Sequence, residues 1–128
     1  MIEMNRRGSE GFTVTEFLEG LLFEVDGDGE GLWSIVPTGR SGFGFEGPEL
    51  TEFVRLSVMH MLEAGAVPAL HRPLTEPLEW IEQTQYGTTK DQIADAVVAE
   101  WLAKGGGDPP WDDLWFVTRK VVETEVRE

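Results

Sequence analysis

Between residues 13 and 25 the apolar side chains Val14, Phe17, Leu18, Leu21, Leu22 and Val25 recur at i, i+3, i+4 and i+7, a spacing that gathers them on one face of an α-helix. Glu16, Glu19 and Glu24 fall elsewhere on the same wheel. Thr13 with Glu16 forms a capping box, and Asp26-Gly27 ends the helix. Leu32-Trp33-Ser34-Ile35-Val36 is an apolar cluster closed by Pro37, too short for its period to separate strand from helical turn. A second long helix is predicted from Pro48 to Ala64. Pro48 suits its first turn, Glu49 and Glu52 suit its positive end, and Gly65 stops it. Its buried stripe reads Leu50, Phe53, Val54, Val58, Met61 and Leu62.

Ala66 to Leu70 then reads as a short extended segment, which Pro68 confines to a sheet edge. Thr75 is placed to cap a short helix running through Trp80 and Ile81. Thr89 with Gln92 makes a second capping box, opening a helix with Ile93, Val97 and Trp101 on one face; Gly105-Gly106-Gly107 ends it. Leu114 to Thr118 is rich in strand formers, while Val121 to Val126 fits strand or helix.

These elements imply one α+β domain, mainly helical, with a small antiparallel sheet. A chain of 128 residues can bury roughly two-thirds of its unfolded surface, enough for a real core. No repeat or linker divides residues 1–128, and residues 1–12 read as a flexible N-terminus. The absence of cysteine excludes disulfides, thiolate zinc sites and cysteine nucleophiles. Arg6 and Arg7 are followed by no apolar stretch, so no signal peptide is expected, and no run approaches the ~20 apolar residues of a membrane span. A cytoplasmic protein without membrane association is expected.

Charge narrows the partner class. The net charge is −14, from 24 acids and 10 bases. Residues 1–64 hold 12 acids and 4 bases, and residues 65–128 hold 12 acids and 6 bases, so the acidity is spread and is not a tail. From Gly8 to Gly39 there are seven acids and no base. Phosphate binding depends largely on clustered Lys and Arg, so nucleic acid is not an expected partner. The same field attracts a basic protein and speeds its encounter.

The motifs that could carry chemistry are incomplete. Asp26-Gly27-Asp28-Gly29-Glu30-Gly31 resembles the start of a calcium loop, but Pro37 stands where the closing bidentate glutamate belongs, and no exiting helix is expected. Gly42-Phe43-Gly44-Phe45-Glu46-Gly47 matches G-x-G-x-x-G without a strand before it, so Phe43 and Phe45 are expected to pin a loop to the core. His60 and His71 could be neighbours in space but belong to no metal-ligand pattern, and Ser9, Ser34, Ser41 and Ser57 sit in no nucleophile elbow. No cofactor and no metal are expected. The densest polar group is Asp108-Pro109-Pro110-Trp111-Asp112-Asp113, a stiff acid-plus-aromatic segment suited to gripping a basic partner. Asp108, Trp111, Asp112 and Asp113 are therefore the candidate partner-binding residues, with Glu16, Glu19 and Glu24 as the second choice.

Gly31-Leu32-Trp33-Ser34-Ile35-Val36, Met61-Leu62-Glu63-Ala64-Gly65-Ala66-Val67, Glu100-Trp101-Leu102 and Asp112-Asp113-Leu114-Trp115-Phe116 together resemble a group of small acidic uncharacterised bacterial proteins. The resemblance covers roughly residues 30–117 and leaves the helix at 13–25 outside it. It implies a helical domain with a small winged-helix-like sheet, in which Val67–Leu70 pairs with Leu114–Thr118, and it implies no activity. The favoured functional expectation is a non-enzymatic acidic protein-binding module, of the immunity or antitoxin type, that inhibits a basic partner. One alternative is a winged-helix regulator, which would need Arg55, Arg72, Lys90 and Arg119 on one face. Another is a small enzyme using carboxylates with His60 and His71.

Overall fold

The computed structural model describes residues 2–71, 80–119 and 122. Among the described residues, the α-helices are α1 (Val14–Asp26), α2 (Leu32–Pro37), α3 (Gly47–Glu63) and α4 (Lys90–Ala103). Four strands join them: β1 (Glu30–Gly31), β2 (Ala66–His71), β3 (Trp80–Glu82) and β4 (Trp115–Thr118). The strands form one antiparallel sheet in the order β1-β4-β2-β3. The architecture is a compact α+β domain with more helix than strand.

Both capping boxes form as the spacing requires. The Thr13 hydroxyl accepts from the Glu16 amide at 3.1 Å while the Glu16 carboxylate accepts from the Thr13 amide at 2.9 Å. Thr89 and Gln92 repeat the arrangement at 3.1 Å in both directions. Each cap stabilises its helix by ~1 kcal/mol relative to alanine. At the far end of α4, Gly105 (φ 108°) and Gly106 (φ 65°) take the left-handed conformation. Their amides donate to the carbonyls of Leu102 and Trp101, both at 3.0 Å, which satisfies the last turn.

The predicted stripe of α3 is buried throughout, with Phe53, Val54, Val58 and Met61 fully enclosed. α3 lies at the centre, packed against α1, α2, α4 and β2. Phe43 and Phe45 do pin their loop to it. The two rings stack at 5.7 Å and meet Phe53 at 5.5 and 5.6 Å. The Arg6 guanidinium covers the outer side of Phe45 at 4.9 Å. The G-x-G-x-x-G segment follows a one-turn π-helix, Thr38–Gly42, and no strand.

The structure departs from the sequence reading at five places. β2 is an inner strand although it contains Pro68, because the proline meets no unpaired ladder position. Its carbonyl accepts from Gln83 at 2.8 Å, so its missing N–H faces the point just past the end of β3, while the β4 side loses nothing. Trp80 and Ile81 are in strand β3, not in a helix; Thr75 lies outside the described residues. Leu32–Pro37, whose period leaves strand or helical turn open, is a helix, and it leaves the Asp26–Gly31 segment directly, where no exiting helix is expected. Leu22 belongs to the exposed flank of α1, and the buried face is Val14, Leu18, Leu21 and Val25. Residues 2–12, read as flexible, are tied down. Ile2 is buried, Met4 and Arg6 carbonyls accept from Thr15 and Val14 amides, and Ser9 donates to Gly42 at 2.8 Å.

Side-chain alternation divides the sheet between two clusters. Ala66 and Phe116 join the main core with the helices. Val67, Ala69, Trp80, Trp115 and Val117 form a second cluster on the other face, with Val122. β1 reaches β4 because Gly29 (φ 89°) turns the chain where a Cβ would lie 2.6 Å from Val117. Of the segment 121–126, read as strand or helix, all but Val122 lie outside the described residues.

Candidate functional site

The outward stripe of α1 follows from the same 3.6-residue period that builds the core. With Val14, Leu18, Leu21 and Val25 inside, Glu16, Glu19 and Phe23 point to solvent, and Gly20 is half-exposed. Phe23 is 80% exposed, Phe12 beside the helix start 57%, and Leu22 on the flank 45%. Three large apolar side chains on or beside α1 are thus open to solvent. Glu19, Glu24 and Asp26 are exposed and make no side-chain hydrogen bond or ion pair among the described residues. Glu16 is held by the capping box and stands 3.9 Å from Arg7. The hydrogen bonds from Thr13 hold its pKa below the ordinary glutamate value.

Gly20 stands midway between Glu16 and Glu24 on this surface, four residues from each. Glycine inside a helix costs roughly 0.5–1 kcal/mol relative to alanine. Its φ is not positive, and a Cβ placed there meets nothing within 4 Å. Neither backbone conformation nor close packing requires it. The missing side chain opens a groove of about 190 Å³ lined by Phe12, Glu16, Phe17, Gly20, Leu21, Glu24 and Glu30. Glu30 reaches this groove from β1, half-buried, with its carboxylate accepting from its own neighbour Gly31 at 3.0 Å. Burial, and secondarily the Glu24 charge, push its pKa above the usual range against the Gly31 and Ser34 hydrogen bonds.

The Asp108–Asp113 segment is different. Asp108 is paired with Arg40, which also donates to the Gly106 carbonyl. Asp113 accepts from the Leu114 amide at 2.8 Å and lies 3.8 Å from Lys104. Lys104 in turn is 3.3 Å from Glu100, to which the Tyr86 hydroxyl donates at 3.0 Å. Burial, and then the Glu100 contact, raise the Tyr86 pKa. Asp108, Asp113, Lys104 and Glu100 rim a cavity of about 140 Å³ with Trp101, Pro109 and Pro110. Of the predicted carboxylates here, Asp112 is exposed without such a partner among the described residues.

Trp111 is 48% exposed, so it is neither a core residue nor a free anchor. Its ring lies 4.8 Å from His71 and 5.6 Å from Trp115, and its carbonyl accepts from the Trp115 indole at 2.7 Å. Trp115 also meets Trp33 at 6.1 Å and Trp80 at 5.6 Å. Four tryptophans and His71 thus line the outer sheet face, a cluster that sequence spacing did not reveal. It depends on the β2–β4 and β2–β3 registers, which place Ala69 opposite Trp115 and His71 opposite Trp80.

The remaining candidates have local explanations. The Nδ1 of His60 lies 3.0 Å from the Leu56 carbonyl of its own helix. Both ring nitrogens of His71 are buried without a hydrogen-bond partner among the described residues. Ser57 donates to Phe53 at 2.9 Å inside α3. Directly after the Asp26–Gly31 segment, α2 begins at what would be the seventh loop position, so the later ligand positions are helical. No group of three or more metal-ligating side chains occurs among the described residues. Arg55 is held by Asp95 and Asp91 at 2.8 and 2.9 Å, and Arg119 by both oxygens of Glu82 at 2.8 and 3.0 Å. Among the described residues, no helix is long and apolar enough to cross a membrane. No known family, curated protein or solved structure matches this chain.

Proposed function

We propose that this chain is a non-enzymatic, cytoplasmic protein-binding module that inhibits a basic protein in the manner of an immunity or antitoxin protein, and that the outer face of α1 is its main contact surface. The observation that carries this reading is Phe23, 80% exposed on a helix that itself carries acids and no basic residue. An exposed aromatic ring amid carboxylates supplies an anchor and a steering field together. The −14 net charge extends that field around the molecule.

Against a nucleic-acid regulator, Arg55 and Arg119 are neutralised by carboxylates within the chain, and Arg72 lies outside the described residues. Against an enzyme, His60 serves its own helix and His71 is enclosed by tryptophan rings. The test is capture of the partner from the native cell, followed by stopped-flow association of the two purified proteins. Association should slow steeply as salt rises, and Phe23→Ser should weaken the complex at least tenfold. Salt-sensitive micromolar binding of duplex DNA, read by fluorescence anisotropy, would sink this reading in favour of the regulator.

A further inference from the structure

We propose that the groove between α1 and β1 receives one arginine side chain of the basic partner. The inference rests on α1 being the partner surface and names what that surface recognises. At about 190 Å³ the groove is smaller than the ~300–1,000 Å³ of pockets that enclose whole small molecules, and it suits a single side chain.

Its chemistry selects a flat cation. Phe12 and Phe17 offer aromatic walls on which a guanidinium can stack. Glu16 and Glu24 flank the notch left by Gly20, and Glu30 faces it from the strand. A forked guanidinium can bridge two carboxylates, which a lysine ammonium matches less well. Arg7 does not fill the role, because it does not line the groove and its Nη1 donates to the Gly11 carbonyl at 2.7 Å. Two further observations concern the notch itself and the one half-buried carboxylate that faces it. Gly20 stands at a half-exposed helix-interior position where no contact or backbone angle demands a glycine. Glu30 is held half-buried beside Glu24 with no cation against it among the described residues, an arrangement that an incoming guanidinium would neutralise.

The experiment is a ¹⁵N–¹H NMR titration of the full chain with Nα-acetyl-arginine methylamide, its uncharged citrulline isostere and the corresponding lysine compound. Arginine should give saturable shifts at the amides of Gly20, Glu24, Glu30 and Gly31. Citrulline should bind at least tenfold more weakly. Gly20→Leu fills the notch with a better helix former and should abolish the shifts while the rest of the spectrum stays in place; Gly20→Ala should weaken them several-fold. Equal response to arginine and citrulline, or an unchanged titration of Gly20→Leu, overturns the proposal. Equal response to lysine overturns the choice of arginine. With the captured partner, wild-type affinity of Gly20→Leu alongside lost affinity of Phe23→Ser overturns the groove and leaves the α1 surface standing. Wild-type affinity of both variants overturns the surface itself.

Discussion

Asp108 to Asp113 and the outer stripe of α1 carry the same ingredients, carboxylates beside large aromatic side chains, and the fold uses them differently. In the loop, Asp108 is held by Arg40, Asp113 by the Leu114 amide and Lys104, and Trp111 leans on His71 and Trp115. On α1, Glu19, Glu24 and Asp26 have no such partners among the described residues, and Phe23 touches mostly water. Density of acids in sequence is therefore a poor guide to available charge. What counts is whether distant cations arrive, and Arg40 is 68 residues from Asp108.

The widest separation between the two regions should appear in stability. Trp115→Ala removes the ring that Trp33, Trp80 and Trp111 all pack against, and should cost roughly 3–5 kcal/mol in denaturant unfolding. Phe23→Ser should leave stability within about 0.5 kcal/mol, because the ring buries little on folding. The same substitution should cost about 2 kcal/mol or more in affinity for the partner, as a buried anchor does. A Phe23→Ser variant that loses stability but not affinity would reverse the assignment.

Charge effects come next and are smaller. Glu19→Gln/Glu24→Gln should slow partner association roughly three- to tenfold at low salt, without moving the melting temperature. Asp112→Asn/Asp113→Asn should slow it less, since Lys104 already screens Asp113. A larger effect from the loop pair would return the contact surface to Asp108–Asp113.

The smallest effect concerns pH. Glu30 has a raised pKa in the folded chain, so the fold holds its proton more tightly than the unfolded chain does. Its contribution favours folding at acid pH and is lost as pH rises through the raised pKa. Glu30→Gln never ionises, so it should be more stable than wild type at pH 7, with the advantage vanishing as pH falls below the ordinary glutamate range. Urea titrations at several pH values check the sign. An advantage that grows toward acid pH would contradict the burial of this carboxylate.

Helix ends and helix faces were legible because their causes are local. Thr13 and Glu16, or Thr89 and Gln92, stand three residues apart and meet whatever the rest of the chain does. The α3 stripe was equally plain, since six apolar residues at helical spacing have one common side. Pro68 misled for a definite reason. A proline forbids one hydrogen bond on one side of one strand, and whether a neighbour needs that bond depends on where β3 ends. Trp80 reads as helical in sequence because a short segment between turn residues has no clear period; its pairing with His71 makes it a strand. Leu22 matched the helical spacing but sits at the edge of the stripe, and only the packing of α1 on α3 decides which flank is covered.

By itself the sequence determined the three long helices α1, α3 and α4, the two capping boxes, the α+β class, the acidic field and the absence of thiol chemistry, because each depends on residues close in the chain or on simple counts. Tertiary structure alone decided the strand order, the tryptophan-lined sheet face and the ion pairs that occupy Asp108 and Asp113. It also placed Glu30 opposite the Gly20 notch. All of these join groups far apart in sequence, and an electrostatic or packing contact acts over a few ångströms of space irrespective of chain separation. A carboxylate is available or spent according to those neighbours, so the candidate site could be listed from the sequence but chosen only from the fold.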